Sequence, residues 1–284
     1  MSGAAPIGPT VAALLRAATA RLAAAGTPRL DAELLLAEVL GLGRGALLAH
    51  GDDPLAAAVV ARFETLVGRR AAGEPLAYLT GRREFWSLAL AVTPDVLVPR
   101  PETELLVERA PALRDAGPCA VADLGTGSGA IALALARERP AWRILATDRS
   151  AAALAVARGN AARLGIANVE FAQGEWCAAL GARRFALIVS NPPYIAAADP
   201  ALADPALRHE PAGALCPGPT GLEALAAIAG QARDHLEPGG HLLLEHGAGQ
   251  RETLARLLVS LGYAHVRCHA DLAGLDRVTE ARAP

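Results

Sequence analysis

Apolar positions along the chain keep two different spacings, and the change between them marks its organisation. In the first eighty or so residues, Leu14, Leu15, Ala18 and Leu22 fall three or four apart, as do Leu30, Leu34, Leu35, Leu36, Val39 and Leu40. That spacing lays a stripe along one face of a helix. Pro28 suits the first turn of the second segment, and Gly41, Gly43 and Gly45 end it. A third helix is expected over 54–68, burying Val59, Val60, Phe63 and Val67, with Pro75 and Gly81 as punctuation. The polar residues here read as solvated faces without a chemical motif.

From Arg82 to Pro99 the character changes. Two apolar runs, 85–92 and 96–98, flank Thr93-Pro94-Asp95, which predicts a β-hairpin turning at that tripeptide and connecting two domains. Pro101 then fits a first helical residue, with Glu102 and Glu104 placed to favour the helix dipole. Beyond it, strands are expected at 120–124, 144–147, 169–173, 187–190 and 241–245, and further ones near 263–269 and 277–281. Helices fill 130–139, 151–164, 221–236 and 250–261. This alternation predicts an α/β domain whose mainly parallel sheet is covered on both faces.

Composition narrows the class. With 52% hydrophobic and 20% charged residues, the chain is globular rather than disordered. All 27 basic residues are Arg, which reads as a coding bias of the source. A net charge of -2 provides no global field for nucleic acid, although a local Arg patch would remain compatible with one. Cys119, Cys177, Cys216 and Cys268 are far apart, so neither a disulfide framework nor a zinc site is expected. No secretory leader and no apolar run of membrane-spanning length stand out, and a soluble, cytoplasmic protein is expected.

Three segments carry chemistry. Asp123-Leu124-Gly125-Thr126-Gly127-Ser128-Gly129 follows the first strand of the α/β region and opens its first helix. Glycines there let the backbone turn tightly and let a ligand lie against main-chain N–H groups. Alone the pattern is weak, since with Ala130 it also satisfies the loose dinucleotide motif. Asp148 ends the second strand, where a carboxylate can accept both hydroxyls of a ribose. It points to an adenosine nucleoside without saying which, and capping the next helix is the alternative role.

Asn191-Pro192-Pro193-Tyr194 decides between cofactors. It follows the apolar strand Leu187-Ile188-Val189-Ser190 and so belongs at the carboxyl edge of the sheet, beside the glycine loop. Proline holds the preceding residue extended, and Pro192 has no N–H to donate. The Asn191 side-chain oxygen and the Pro192 carbonyl could together accept both hydrogens of an –NH2 group. Tyr194 could lie flat against the planar group and stabilise nearby positive charge. Such a site suits methyl transfer to an amide or amine nitrogen, with no strong base required if the proton leaves after the methyl arrives.

Together with Pro99-Arg100-Pro101-Glu102-Thr103-Glu104 and Glu245-His246-Gly247, these segments resemble the release-factor glutamine methyltransferases, the PrmC (HemK) family. The likeness runs through nearly the whole chain. It implies a class I S-adenosylmethionine-dependent methyltransferase domain, Rossmann-like with a seven-stranded mixed sheet, at 101–284. A β-hairpin linker at 83–100 and a helical substrate-recognition domain at 1–82 would precede it. Gly125, Thr126, Gly127, Ser128, Gly129, Asp148, Trp176 and Asn191 would line the S-adenosylmethionine site, S-adenosylhomocysteine being the product. Trp176 suits packing beside adenine, with a core position as the alternative. Asn191, Pro192, Pro193 and Tyr194 would hold the substrate, and Asn191, Pro192 and Tyr194 would act in catalysis.

By the same resemblance the substrate is the glutamine of the Gly-Gly-Gln loop in class I peptide chain release factors, and neither membrane nor nucleic acid is expected as a partner. A ribosomal-protein glutamine, an adenine amine in DNA or RNA, and a catalytically silent S-adenosylmethionine-binding adaptor are the rivals. A nicotinamide dehydrogenase would leave the Asn191 loop unexplained. Two positions depart from the family pattern: His246 replaces an aliphatic residue, and Thr220 an acidic one before Gly221-Leu222. His246 reads as a strand-end histidine, and Arg277 as a structural partner of Asp271 or Asp276.

Overall fold

A computed structural model describes residues 8–114 and 117–284. Met1 to Ile7, the start of the expected N-terminal domain, lie outside the described residues. The chain divides into two compact units, Met1–Gly81 and Arg82–Pro284.

The first unit is helical: α1 (Val11–Arg21), α2 (Pro28–Leu40), α3 (Arg44–Ala49), α4 (Ala57–Ala71) and α5 (Leu76–Thr80). Its core joins Leu14, Leu15, Ala18 and Leu22 to Leu35, Leu36, Phe63 and Val67. Gly41 ends α2 in the left-handed region at φ 66°, as its position predicts. Gly43 and Gly45 do not end a helix, because Gly43 caps α3 and Gly45 lies within it. Pro54 stays outside α4, held in a bridge to Thr10. Nor are all the polar residues solvated. Asp31 and Glu33 are buried and paired, Asp31 with Arg70 Nε at 2.7 Å and Glu33 with Arg29 and Arg44.

The second unit opens with a hairpin, β1 (Arg82–Phe85) and β2 (Leu88–Ala91). Its turn is Trp86-Ser87, both at positive φ (50° and 58°), rather than Thr93-Pro94-Asp95. Glu104 compensates for that uncommon backbone by accepting from Trp86 N at 2.8 Å. Phe85, Leu88 and Leu90 are buried in the same core as Leu106 and Leu133, so the hairpin is part of this unit's packing.

A 3-10 turn, Pro101–Thr103, leads into α6 (Glu104–Ala112). There follow β3 (Ala120–Leu124), α7 (Ala130–Glu138), β4 (Arg143–Asp148), α8 (Ala151–Leu164), β5 (Val169–Gln173) and β6 (Phe185–Ser190). The chain ends with α9 (Glu223–His235), β7 (Leu236–Glu245), α10 (Arg251–Ser260), β8 (Ala264–Ala270) and β9 (Asp276–Arg282). The sheet order is β5-β4-β3-β6-β7-β9-β8, with β9 antiparallel to both its neighbours. β6 is buried throughout and almost wholly apolar, and β7 carries the buried run Leu242 to Leu244, as burial on both faces requires. The chain moves outward from β3 to β5 and then returns to place β6 on the other side of β3. That reversal opens a crevice at the carboxyl ends of the strands.

The four cysteines are free. Among the described residues no cluster could hold a metal ion, and no helix is long and apolar enough to cross a membrane.

Candidate functional site

Register brings the chemical segments to one edge. Leu124 of β3 pairs with Ser190 of β6, so the glycine loop and the Asn191 loop leave the sheet side by side. Ser190 Oγ donates to Leu124 O at 2.7 Å and ties the two exits together. Asp148 leaves β4 on the other side of β3. These segments line a cleft with about 1110 Å³ of open space, its mouth included. A nucleoside-sized ligand fits such a volume.

The glycine loop is fixed from below. Gly125 N and Thr126 N both donate to Thr147 O at 2.9 Å. Asp123 is fully buried, and its Oδ2 accepts from Thr126 Oγ1 at 2.6 Å and from Ala132 N at 3.2 Å. Burial pushes its carboxyl up to about 7, against the lowering effect of those two bonds and helped by the nearby Asp148 charge. Gly129 stands apart from the expectation, because it does not line the cleft. At φ 85° it packs between α7 and α8, where a Cβ would come within 3.1 Å of Leu133 and 3.3 Å of Ala157. Gly125, Thr126, Gly127 and Ser128 do line the cleft.

Asp148 is not the cap of α8, since Ser150 is the capping residue and accepts from Ala153 N. Its own Oδ1 accepts from Ser150 N at 2.8 Å, and Oδ2 from Gly127 N at 3.0 Å. A carboxylate has about four acceptor positions. Each oxygen therefore keeps one, which matches the two hydroxyls of a ribose. Trp176, at φ 49° in a 3-10 turn, is half-buried and serves both readings: it lines the cleft and packs against the core beneath.

Asn191, Pro192 and Pro193 line the same cleft and also a smaller pocket of about 410 Å³ beside it, where Tyr194, Leu97 and Arg100 join them. Asn191 Nδ2 donates to Thr103 Oγ1 at 2.9 Å, which leaves the amide's oxygen as its remaining polar atom. Arg100 pairs with the buried Glu210, which also accepts from Val98 N at 3.0 Å. The Pro99–Glu104 segment is thus anchored to the loop that borders the smaller pocket.

Tyr194 is held at both ends. Its hydroxyl donates to Glu245 Oε1 at 3.2 Å, while its carbonyl accepts from Gln250 Nε2 at 3.0 Å. Gln250 Nε2 also reaches Gly221 O at 3.2 Å, and its Oε1 accepts from Gly247 N at 2.9 Å. Glu245 is almost fully buried, and burial pushes it up to about 7 even though Thr103, Tyr194 and Arg277 all favour its charged form. The periodic and motif signals do not single out Thr103, Glu245, Gly221 or Gln250 as site-building residues. Thr103 and Glu245 lie within segments that carry the family resemblance, but their bonds to Asn191 and Tyr194 depend on the fold.

The two departures lie off the chemistry. His246 Nδ1 donates to Gly247 O at 2.9 Å, and Nε2 accepts from Thr279 Oγ1 at 2.8 Å. Burial lowers its pKa, so it is a neutral, fully bonded strand-end histidine. Thr220 donates twice to Glu223 Oε1 at 2.8 Å. Arg277 pairs with Asp271 at 2.9 Å, while Asp276 faces Arg251.

Comparisons with known proteins bear on this geometry. Residues 13–81 match the PrmC N-terminal domain, and residues 101–208 the methyltransferase small domain. A release factor glutamine methyltransferase of Xylella fastidiosa is 51% identical over 97% of this chain and 99% of its own. One of Escherichia coli is 46% identical over 94% and 97%. A solved 16S rRNA N2 G1207 methyltransferase from T. thermophilus, in complex with AdoMet and guanosine, superimposes at a TM-score of 0.55. It shares 18% identity and covers 72% of this chain and 50% of its own, a likeness of fold.

Proposed function

The chain belongs to the release factor glutamine methyltransferases, and on that premise we propose that its Asn191 loop holds the side-chain amide of a release-factor glutamine. The protein is an S-adenosylmethionine-dependent protein-glutamine N-methyltransferase of the class I fold. The glutamine of a Gly-Gly-Gln motif in class I release factors is the specific substrate of this reading, met in the cytoplasm.

One observation carries it: the Asn191 amide turns its nitrogen to Thr103, donating one of its two N–H groups there, and keeps its oxygen. With the Pro192 carbonyl, that oxygen would make a pair of acceptors for an –NH2 group, both residues lining the cleft and the smaller pocket. The cofactor fits the cleft, because Asp148 retains an acceptor position on each oxygen for the ribose and Gly125 to Ser128 line the wall beside it. Gly125, Thr126, Gly127, Ser128, Asp148 and Trp176 would hold it. Bound S-adenosylmethionine supplies an electrophilic methyl on a sulfonium.

The chain's own residues do the rest. An amide nitrogen is a poor nucleophile, its lone pair being delocalised. Asn191 Oδ1 and Pro192 O would orient it and stabilise the positive charge that grows on it, a contribution worth roughly a hundredfold or more per lost group. Tyr194 would flank the planar amide, and the smaller pocket would take the aliphatic part of the glutamine side chain. No proton acceptor is required in advance, because the nitrogen becomes acidic once methylated.

A lone glutamine offers few contacts, so selection of one glutamine in one protein needs a surface beyond the pocket. The helical unit matching the PrmC N-terminal domain is our choice for docking the release factor. A net charge of -2 supports a protein over an adenine-amine substrate. The test is mass spectrometry of release factor after incubation with the protein and S-adenosylmethionine, with Asn191→Ala as the variant that should lose turnover.

A further inference from the structure

Two cations line the cleft assigned to S-adenosylmethionine, and each faces a carboxylate. Arg149 is exposed and lies 3.8 Å from the exposed Glu175. Arg100 is placed differently, because it lines both the cleft and the smaller pocket. Its guanidinium pairs with Glu210, whose side chain is only 1% exposed and lines neither space. Glu210 Oε2 also accepts from Val98 N at 3.0 Å, and its own N–H donates to Leu207 O at 3.1 Å.

Tying the segment before Pro99 to the loop that carries Leu207, Ala214 and Leu215 requires only an acceptor for Val98 N. A neutral amide oxygen would serve for that. A buried carboxylate is costly to hold in place unless its charge is matched. Here it cancels the charge of Arg100, the one cation that borders both spaces.

Charge matters at that border because of what the cleft must distinguish. S-adenosylmethionine is a sulfonium cation at its reacting end. When the methyl leaves, sulfur keeps the electron pair of the broken bond, and S-adenosylhomocysteine is a neutral thioether of nearly the same outline. Contacts to the shared adenosine hold both ligands alike, so they give no preference between them. An electrostatic potential does, since it acts on the sulfonium alone, and an uncompensated Arg100 would repel it.

We propose that Glu210 sets the preference of the site for S-adenosylmethionine over S-adenosylhomocysteine by neutralising Arg100 from behind the wall of the cleft. Glu210 touches no reacting atom and acts through Arg100. The inference rests on the reading that this cleft holds the cofactor.

Glu210→Gln keeps an acceptor for Val98 N and leaves Arg100 uncompensated. A unit charge about 10 Å from a cation, at an effective dielectric of about 20, changes affinity on the order of tenfold, and salt reduces the effect. The quantity to read is the ratio of the two dissociation constants, by calorimetry without release factor, so that no turnover occurs. In Glu210→Gln that ratio should move about three- to tenfold against S-adenosylmethionine, and less as salt is added. A purely structural role would weaken both ligands together and leave the ratio where it was. Arg100→Gln, the second variant, removes the cation and can still donate to Glu210. Its ratio should move by a similar factor in favour of S-adenosylmethionine.

A folded Glu210→Gln protein with the wild-type ratio would overturn the proposal. So would an Arg100→Gln protein whose ratio is unchanged or moves in the same direction as that of Glu210→Gln. Either result still has both ligands bound in the cleft and spares the parent reading. An Asp148→Asn protein that binds both ligands as tightly as wild type would take the cofactor out of this cleft and sink the parent reading with the proposal.

Discussion

Gly221→Ala is the smallest change that should disable the Asn191 loop without reaching the cofactor cleft. Gly221 sits at φ 78°, and a Cβ there would lie 2.5 Å from Tyr194 O, 3.0 Å from Ala196 N and 3.0 Å from Gln250 Nε2. The left-handed backbone alone costs an alanine about 1–2 kcal/mol. Relieving the contact from 2.5 Å to the 3.4 Å where ordinary packing begins requires a shift of 0.9 Å. The Tyr194 carbonyl must move, and its bond from Gln250 goes with it, for a further ~0.5–1.5 kcal/mol. A total of roughly 1.5–3.5 kcal/mol should lower the melting temperature by about 3–14 °C for a unit of this size. A displacement near 1 Å in a substrate-positioning loop costs turnover on the order of a hundredfold. Gly221 does not line the cleft, so S-adenosylhomocysteine affinity by calorimetry should stay within about threefold of wild type, less than 1 kcal/mol. A folded variant with wild-type kcat would refute the clamp. A matching loss of cofactor affinity would show the strain to be general.

Asp148→Asn replaces an acceptor with a donor at one of two ribose contacts. Affinity for S-adenosylhomocysteine should fall by about 1.5–3 kcal/mol, and unchanged affinity would make Asp148 only a tie to Gly127 and Ser150. Asp123 titrates near 7 when folded, against 3.8 as the ordinary value, so the folded chain binds its proton more tightly. Its contribution to stability therefore falls as pH rises from about 4 to 7 and is level on either side, by up to roughly 4 kcal/mol. Denaturant titrations should show Asp123→Asn gaining on wild type across that window, and a pH-independent difference would contradict the assignment. A chain starting at Arg82, once shown to fold, should still bind S-adenosylhomocysteine and lose most activity on intact release factor. Full activity would remove the docking role from the helical unit.

What was legible in the sequence was local. The strands around Asp123, Asp148 and Ser190 are short apolar runs closed by polar or glycine punctuation, and the structure has them within a residue or two. The Asn191 loop announces itself because two prolines after a buried strand have few other uses. Pro94 is the stronger local signal for the hairpin turn, yet the turn falls at Trp86-Ser87, which adopts its backbone with help from Glu104, a tertiary partner. Gly45 looked like a helix end and lies inside one, since α3 is too short to show a period. The Thr103–Asn191 bond joins residues 88 apart, and Tyr194 meets Glu245 across 51. Periodicity does not reach such separations, so the side chains that orient the site emerged only from the fold.

The most direct test of the account is to incubate purified class I release factor with the protein and S-adenosylmethionine, then locate the added methyl by peptide mass spectrometry. The account predicts a single methyl on the side-chain nitrogen of the Gly-Gly-Gln glutamine, absent when Asn191→Ala replaces the wild type. A release factor left unmodified while adenine in nucleic acid or a glutamine of a ribosomal protein is methylated would contradict it.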